Sequence, residues 1–357
     1  MTKTGVAGSR DRMRRALSIL AGIIISAAFL YLAFRKISLR EFWQYGSNIT
    51  TWPLVCACAI HPLRFVFTTL RWGVFLRPAK KISLRRLFPI IAVSFAANNV
   101  LPLRSGEAVR VLLLRQREDV SMSVSVSTVL VERFADLATL LALLFVVGSR
   151  IPVPLAMRDA ARSLVVVCGI GSACICLALV LRRPLTEIAG RYLSKHPGRL
   201  GIRIEELAGK FMTGMSALAS PRSILLVLVY SFASWAIEAQ VYFFVAQSFH
   251  LPISYAQSVF IMVCAALVVL VPSSPGYVGV FEWTVTTVLV GFAIDRNAAV
   301  AYAVACHLAL LLPITLLGWF YAVRLSLARH VNVVALEADS DAENLTQRSP
   351  ESNHIRQ

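Results

Sequence analysis

The chain has 357 residues, of which 57% are hydrophobic and only 15% charged, and 36 Lys and Arg against 19 Asp and Glu give it a net charge of +17. A mean hydropathy of +0.69 sets it apart from soluble domains, where charged residues average about 25%, and leaves no room for a sizeable soluble catalytic domain. The basic excess lies between apolar runs, which fits cytoplasmic loops and anionic lipid heads; no nucleic-acid motif accompanies it, so nucleic acid is excluded as a partner.

Residues 1–15 form a basic stretch with Lys3, Arg10, Arg12, Arg14 and Arg15. The apolar run 16–34 is followed by Arg35 and Lys36 without a small-residue cleavage site, so it predicts an uncleaved first helix. A second span covers 52–76 and holds His61, Pro62, Arg64 and Arg71; His61 and Arg64 are three apart and share a helix face. A positive loop follows, with Arg77, Lys80, Lys81, Arg85 and Arg86. Residues 87–101 are apolar but short, and they end in the break Asn98-Asn99-Val100-Leu101-Pro102-Leu103-Arg104-Ser105-Gly106-Glu107. The next span, 124–147, carries Glu132, Arg133 and Asp136, whereas 164–181 is free of charge.

Residues 182–221 make a long polar connection. Within it Ile204, Leu207, Phe211, Met215 and Leu218 form an amphipathic stripe that lies either on the membrane surface or on the protein's own cytoplasmic face. A span at 224–246 contains Glu238. Residues 256–271 are short and end in a second break, Val271-Pro272-Ser273-Ser274-Pro275-Gly276-Tyr277-Val278-Gly279-Val280-Phe281-Glu282; 281–294 cannot cross alone. The last full span, 298–323, holds His307 and Pro313, and residues 331–357 read as a disordered polar tail.

The expected fold is all-α: a polytopic transmembrane helix bundle over residues 16–330, with about six to eight membrane segments. Two of these are short broken or re-entrant segments, the first entering from the cytoplasm and the second from outside. Such a pair predicts an inverted repeat and points to a transporter's binding site. The positive segments place the N-terminus in the cytoplasm. The repeat has one further mark: the interval from Glu107 to Glu132 equals that from Glu282 to His307.

Backbone broken at membrane depth must be buried in protein or line a wet cavity. In the first break, Arg104 and Arg110 offer guanidinium forks suited to phosphate, and Glu107 lies in a first helical turn beginning after Ser105. Asn98 and Asn99 either satisfy freed backbone groups or bind a headgroup. The alternative is a capped interfacial helix with solvated arginines. In the second break, Gly276 and Gly279 permit unusual dihedrals and Glu282 follows the turn; the plain alternative is a kink. Glu132, Arg133 and Asp136 form a self-neutralised ion pair, the polar wall of a headgroup path or a proton relay. Glu238 and His307 are buried structural groups or members of a proton relay. The seven cysteines lie in apolar stretches without C-x-x-C spacing, and they read as small buried hydrophobes. No metal site, cofactor motif or base-assisted nucleophile is expected.

These motifs, namely Asn98-Asn99-x-Leu101-Pro102-x-Arg104-x-Gly106-Glu107-x-x-Arg110, Glu132-Arg133-x-x-Asp136, Pro275-Gly276-x-x-Gly279-x-x-Glu282 and the early Arg71-Trp72, resemble the lysylphosphatidylglycerol synthase transmembrane-region family of flippase-like membrane proteins. The resemblance covers about residues 15 to 330. It implies a multi-pass protein of the bacterial or archaeal inner membrane that moves or binds an anionic or aminoacylated phospholipid or an isoprenoid-linked lipid. The soluble synthase domain of two-domain relatives has no counterpart in this sequence, so tRNA-dependent aminoacyl transfer is not implied. A separate soluble synthase or glycosyltransferase is a partner that the resemblance allows. An integral-membrane enzyme modifying a lipid-linked glycan or isoprenoid, and a scaffold for such a synthase, are the rival readings.

Overall fold

A computed structural model describes residues 31, 39–101, 105–151, 220–269 and 275–347. The expected spans at 16–34 (Tyr31 apart) and 164–181, most of the 182–221 connection, Arg104 and Pro272 lie outside the described residues. Among the described residues the secondary structure is helical, without a strand. The helices are α1 Leu39–Ser47, α2 Thr51–Leu76, α3 Leu84–Val100, α4 Gly106–Glu118, α5 Met122–Gly148, α6 Pro221–Ser248, α7 Tyr255–Val269, α8 Val280–Gly291 and α9 Arg296–Gln347. α9 thus extends into residues 331–347 of the expected polar tail.

Among the described residues, Thr51–Leu76, Pro221–Ser248 and Arg296–Ser326 are long and apolar enough to cross a membrane. α5 is as long, 27 residues, but Glu132, Arg133 and Asp136 interrupt its apolar run. The starts of α5 and α6 follow serine chemistry: Ser121 and Ser220 accept hydrogen bonds from the amides of Val124 and Ser223, and Pro221 opens α6 where its missing N–H costs nothing.

α2 and α6 form the antiparallel spine. At one end the Thr50 amide donates to the Ser248 carbonyl at 2.9 Å; further along, Arg64 meets Glu238, Thr68 meets Ser234, and Arg71 donates to Ser231. The bundle therefore has a Thr50 end and an Arg77 end.

The short segments are hairpins that turn back. α3 leaves from the Arg77 end and α4 returns to it. Glu118, at the close of α4, pairs with Arg86 near the start of α3 at 2.8 Å, and its carbonyl accepts from Lys80 at 2.6 Å. With 17 residues, α3 spans about 25 Å, short of the roughly 30 Å hydrocarbon layer. α7 and α8 repeat the device from the other side: α7 follows the Thr50 end of α6, and Phe260 in α7 meets Phe292, just past α8, edge to face at 5.8 Å. α5 then runs from the Arg77 end to the Thr50 end, and α9 runs the opposite way, with Tyr321 back against Phe88 of α3. The order α2, hairpin, α5 thus recurs as α6, hairpin, α9 with reversed direction, an inverted repeat.

The hairpin tips touch at Gly276. This residue has φ 61, and a Cβ there would come within 3.1 Å of the Asn99 carbonyl oxygen. Glycine meets both demands, a left-handed backbone and close approach. Gly276→Ala is expected to lower stability by about 1–3 kcal/mol, read as a fall in the thermal midpoint of the detergent-purified protein.

The apolar core has two parts. The larger joins α6, α7, α8 and α9 around Tyr242, Phe260, Phe281 and Tyr302. The smaller joins α2, α3 and α5 around Phe65, Trp72, Phe75 and Ile91. The polar residues lie between them.

Candidate functional site

A buried ion network occupies the middle of the bundle. Arg71 of α2 reaches Asp136 Oδ1 through Nη1 at 2.7 Å and Glu132 Oε1 through Nη2 at 3.2 Å, and it also donates to Ser231 Oγ at 2.9 Å. Arg110 of α4 meets Glu132 Oε2 at 2.7 Å. Its guanidinium lies 3.7 Å from the centre of the Trp72 ring, and the Trp72 indole N–H donates to Thr128. Arg71 and Arg110 are each 1% exposed and Glu132 is 0% exposed, so these groups act behind the wall, not at a ligand surface. Arg133 continues the chain toward open space: Nη1 donates to Asp136 at 3.4 Å and Nε lies 3.2 Å from Glu107. Each carboxylate in this network faces a guanidinium, which is what burial of charge requires.

The tips complete the site. Ser105 sits at the N-cap of α4 without a side-chain cap bond; instead, Asn98 Oδ1 accepts from the Gly106 amide at 2.8 Å, and Ser94 donates to the Gly106 carbonyl. A Cβ at Gly106 would meet the Ser94 carbonyl oxygen, so the chain passes this point only as glycine. Asn99 ties the first tip to α9 by donating to Thr315 at 2.7 Å. In the second tip, Gly279 precedes α8 and its amide donates to Glu282 Oε2 at 2.6 Å, while His307 Nδ1 donates to Glu282 Oε1 at 2.6 Å. His307 stacks on Phe281 with centroids 4.3 Å apart.

The two halves match in detail. A carboxylate in the first turn of each returning hairpin helix pairs with a cationic or protonatable side chain on the long helix that follows: Glu107 with Arg133, and Glu282 with His307. The equal intervals in the sequence name the right residue in the second half. In the first half the partner is one residue on, Arg133, because Glu132 turns to Arg71 and Arg110.

Between the tips and the α2–α6 spine lies a cavity of about 150 Å³, far above the roughly 10–15 Å³ that holds one water. Asn98, Asn99, Glu107, Arg133, Asp136, Glu238 and His307 line it. Glu282 lies behind His307, and Gly276 marks the tip contact. Four further wall residues, His61, Arg64, Trp235 and Tyr277, are not among the site residues expected from sequence. Arg64 meets Glu238 at 2.7 Å, with His61 Nε2 3.6 Å from the same oxygen. The shared face of His61 and Arg64 was the available signal; its partner, Glu238, lies too far along the chain for spacing to reveal it.

Glu107 has a second role. It borders an apolar groove of about 330 Å³ between α4 and α5, formed with Ala108, Val111, Leu112, Met122, Val126, Val129 and Leu130. The cavity, with its ionic and apolar wall residues, and the apolar groove therefore meet at one side chain. Glu107 and Arg133 are 29% and 24% exposed, whereas Glu282 and His307 are 8% and 6% exposed.

No cluster of three or more His, Cys, Asp or Glu residues with metal-binding geometry occurs among the described residues. Cys56, Cys58, Cys264 and Cys306 are free thiols.

Known proteins with this sequence pattern are membrane proteins. A UPF0104 membrane protein of Methanocaldococcus jannaschii is 25% identical over 229 residues, covering 63% of this chain and 93% of that protein. A UPF0104 membrane protein of Pyrococcus horikoshii is 20% identical over 330 residues, 86% of this chain and 96% of its own length. Another, from Methanothermobacter thermautotrophicus, is 25% identical over 229 residues, 60% of this chain and 68% of that protein. No solved structure matches the chain. The description "Lysylphosphatidylglycerol synthase TM region" matches residues 19–318, nearly the whole of the helical bundle, and the chain belongs to that family.

Proposed function

We propose that the protein is a lipid translocase or carrier that binds the headgroup of a phospholipid or isoprenoid-linked lipid between its two hairpin tips. One observation carries this reading: a cavity whose largely apolar wall carries ionic side chains adjoins an apolar groove, and Glu107 borders both. An amphiphile needs that pairing, a wet site for its head and a hydrocarbon surface for its chain. A soluble ion would use only the cavity. The inverted halves add support, because their equivalent ion pairs differ in exposure, as expected of a protein caught with one gate open and the other shut. In this reading Arg133 and Glu107 handle the entering headgroup, and Glu282 with His307 hold the opposite gate. The Arg77 end, with its Lys and Arg cluster, faces the cytoplasm of the inner membrane.

The test uses proteoliposomes with fluorescent phospholipid and a membrane-impermeant quencher, which reads movement between leaflets. Wild type is expected to accelerate movement over empty vesicles. Arg133→Ala is expected to lower the rate about tenfold or more by removing a charge-assisted contact, and the exposed control Arg222→Ala leaves it unchanged. Equal rates for Arg133→Ala and wild type would contradict the reading.

A further inference from the structure

We infer that Arg64, Trp235 and His61 form an oxyanion subsite that takes the phosphate of the lipid headgroup, on the α2–α6 wall of the cavity. The lipid part rests on the translocase reading; the anion chemistry does not. Arg64 lines the cavity, and its ion-pair partner among the described residues is Glu238, engaged through Nε. A guanidinium carries five N–H donors in a planar fork. Nε faces Glu238 as an ion pair without hydrogen-bond geometry, and no Nη donor makes a hydrogen bond to a described residue, so the Nη edge has donors to offer. Arg133, one of the arginines expected from sequence at the headgroup, already faces two carboxylates, Glu107 and Asp136, where Arg64 faces one.

The fork is held in place by aromatic rings. Its central carbon lies 4.8 Å from the Trp235 ring, 5.3 Å from Phe65 and 6.0 Å from Phe95. Stacking of this kind fixes the plane of an arginine and leaves its edge free for two oxygens.

The second observation is independent of Arg64. Trp235 Nε1 and His61 Nδ1 are buried without a hydrogen-bond partner among the described residues, although both residues line the cavity. Indole N–H is donor only, and buried donors without acceptors need an explanation. A phosphate supplies enough acceptor oxygens for the fork and the indole N–H, and for His61 Nδ1 when the ring is protonated on both nitrogens, since Nε2 faces Glu238. Glu238 balances Arg64 when the site is empty, and its position on Nε leaves the Nη edge open.

The test is calorimetric titration of the full chain in maltoside micelles with dihexanoylphosphatidylglycerol, dihexanoylglycerol and inorganic phosphate. Wild type is expected to bind the phosphatidyl probe at least about tenfold tighter than the phosphate-free one. Arg64→Gln combined with Glu238→Gln removes both charges, leaves no unpaired carboxylate, and is expected to erase that preference. Trp235→Phe, which keeps the ring, is expected to reduce it about three- to tenfold. Wild-type preference in a folded Trp235→Phe and in the double variant would overturn the proposal, whereas inorganic phosphate binding as tightly as the lipid probe would overturn its lipid part and support the anion site. If wild type moves no lipid but retains an Arg64-dependent preference, the translocase reading fails and the subsite stands. If wild type moves lipid but binds the probes indifferently to Arg64, the subsite fails and the translocase reading stands.

Discussion

Arg71→Met is expected to destabilise the protein by about 3–5 kcal/mol, the cost of leaving a buried charge without its partner. Arg71 bridges Glu132, Asp136 and Ser231 from α2 to α5 and α6, so its loss unties three helices together. Against a total stability of about 5–15 kcal/mol, that loss should appear as a collapse in the yield of monodisperse protein and a large fall in thermal midpoint. Arg71→Lys should recover only part, since one ammonium cannot reproduce the planar fork that reaches both carboxylates. Adding Asp136→Asn to Arg71→Met should also recover part, because Glu132 keeps Arg110. An unfolding midpoint for Arg71→Met equal to wild type would show that the network is not sealed in the fold.

Glu282→Ala carries the next largest effect, about 2–4 kcal/mol. One oxygen of Glu282 accepts from the Gly279 amide at the start of α8, and the other accepts from His307. The substitution removes a helix cap, worth about 1 kcal/mol, and strands a buried imidazole N–H, worth about 1–3 kcal/mol. It should also loosen the second hairpin, so lipid movement should fall with stability. Glu282→Gln keeps an acceptor for Gly279 and should lose less than half as much. Thermal unfolding of the two variants side by side checks the ordering, and an Ala variant as stable as the Gln variant would contradict it.

Much of this architecture was legible in the residues. Asn-x-x-Pro and Pro-Gly-x-x-Gly interrupt apolar runs too short to cross, and the described parts of both interruptions, 98–101 and 275–279, lie at hairpin tips. The span limits for α2, α5, α6 and the apolar part of α9 followed from length and hydropathy, which a bilayer fixes closely. The equal intervals, read as a mark of the repeat, end in the second half on two residues that the fold pairs, Glu282 and His307. What was not legible depended on distant pairing. Arg110 and Glu132 have the composition of a ligand site, yet they are sealed, because Arg71 on another helix, together with Asp136, completes a neutral cluster with them. A step of one residue turns a helical side chain by about 100°, so Glu132 and Arg133 face different partners although they are adjacent. Arg64 and His61 looked like an ordinary same-face pair until Glu238 and Trp235 came opposite them. Asn98, by contrast, did what one of its two readings foresaw: it satisfies backbone freed by the break.

The most direct measurement fills the cavity and follows the lipid. Ala266 of α7 lines it, and Ala266→Trp places an indole where a headgroup would pass. Leu308→Trp, on an exposed position of α9, adds the same bulk outside. In leaflet-resolved proteoliposomes, Ala266→Trp is expected to reduce lipid movement to the level of empty vesicles while remaining folded, and Leu308→Trp to match wild type. A folded Ala266→Trp protein that moves lipid at the wild-type rate would contradict passage of the headgroup between the hairpin tips.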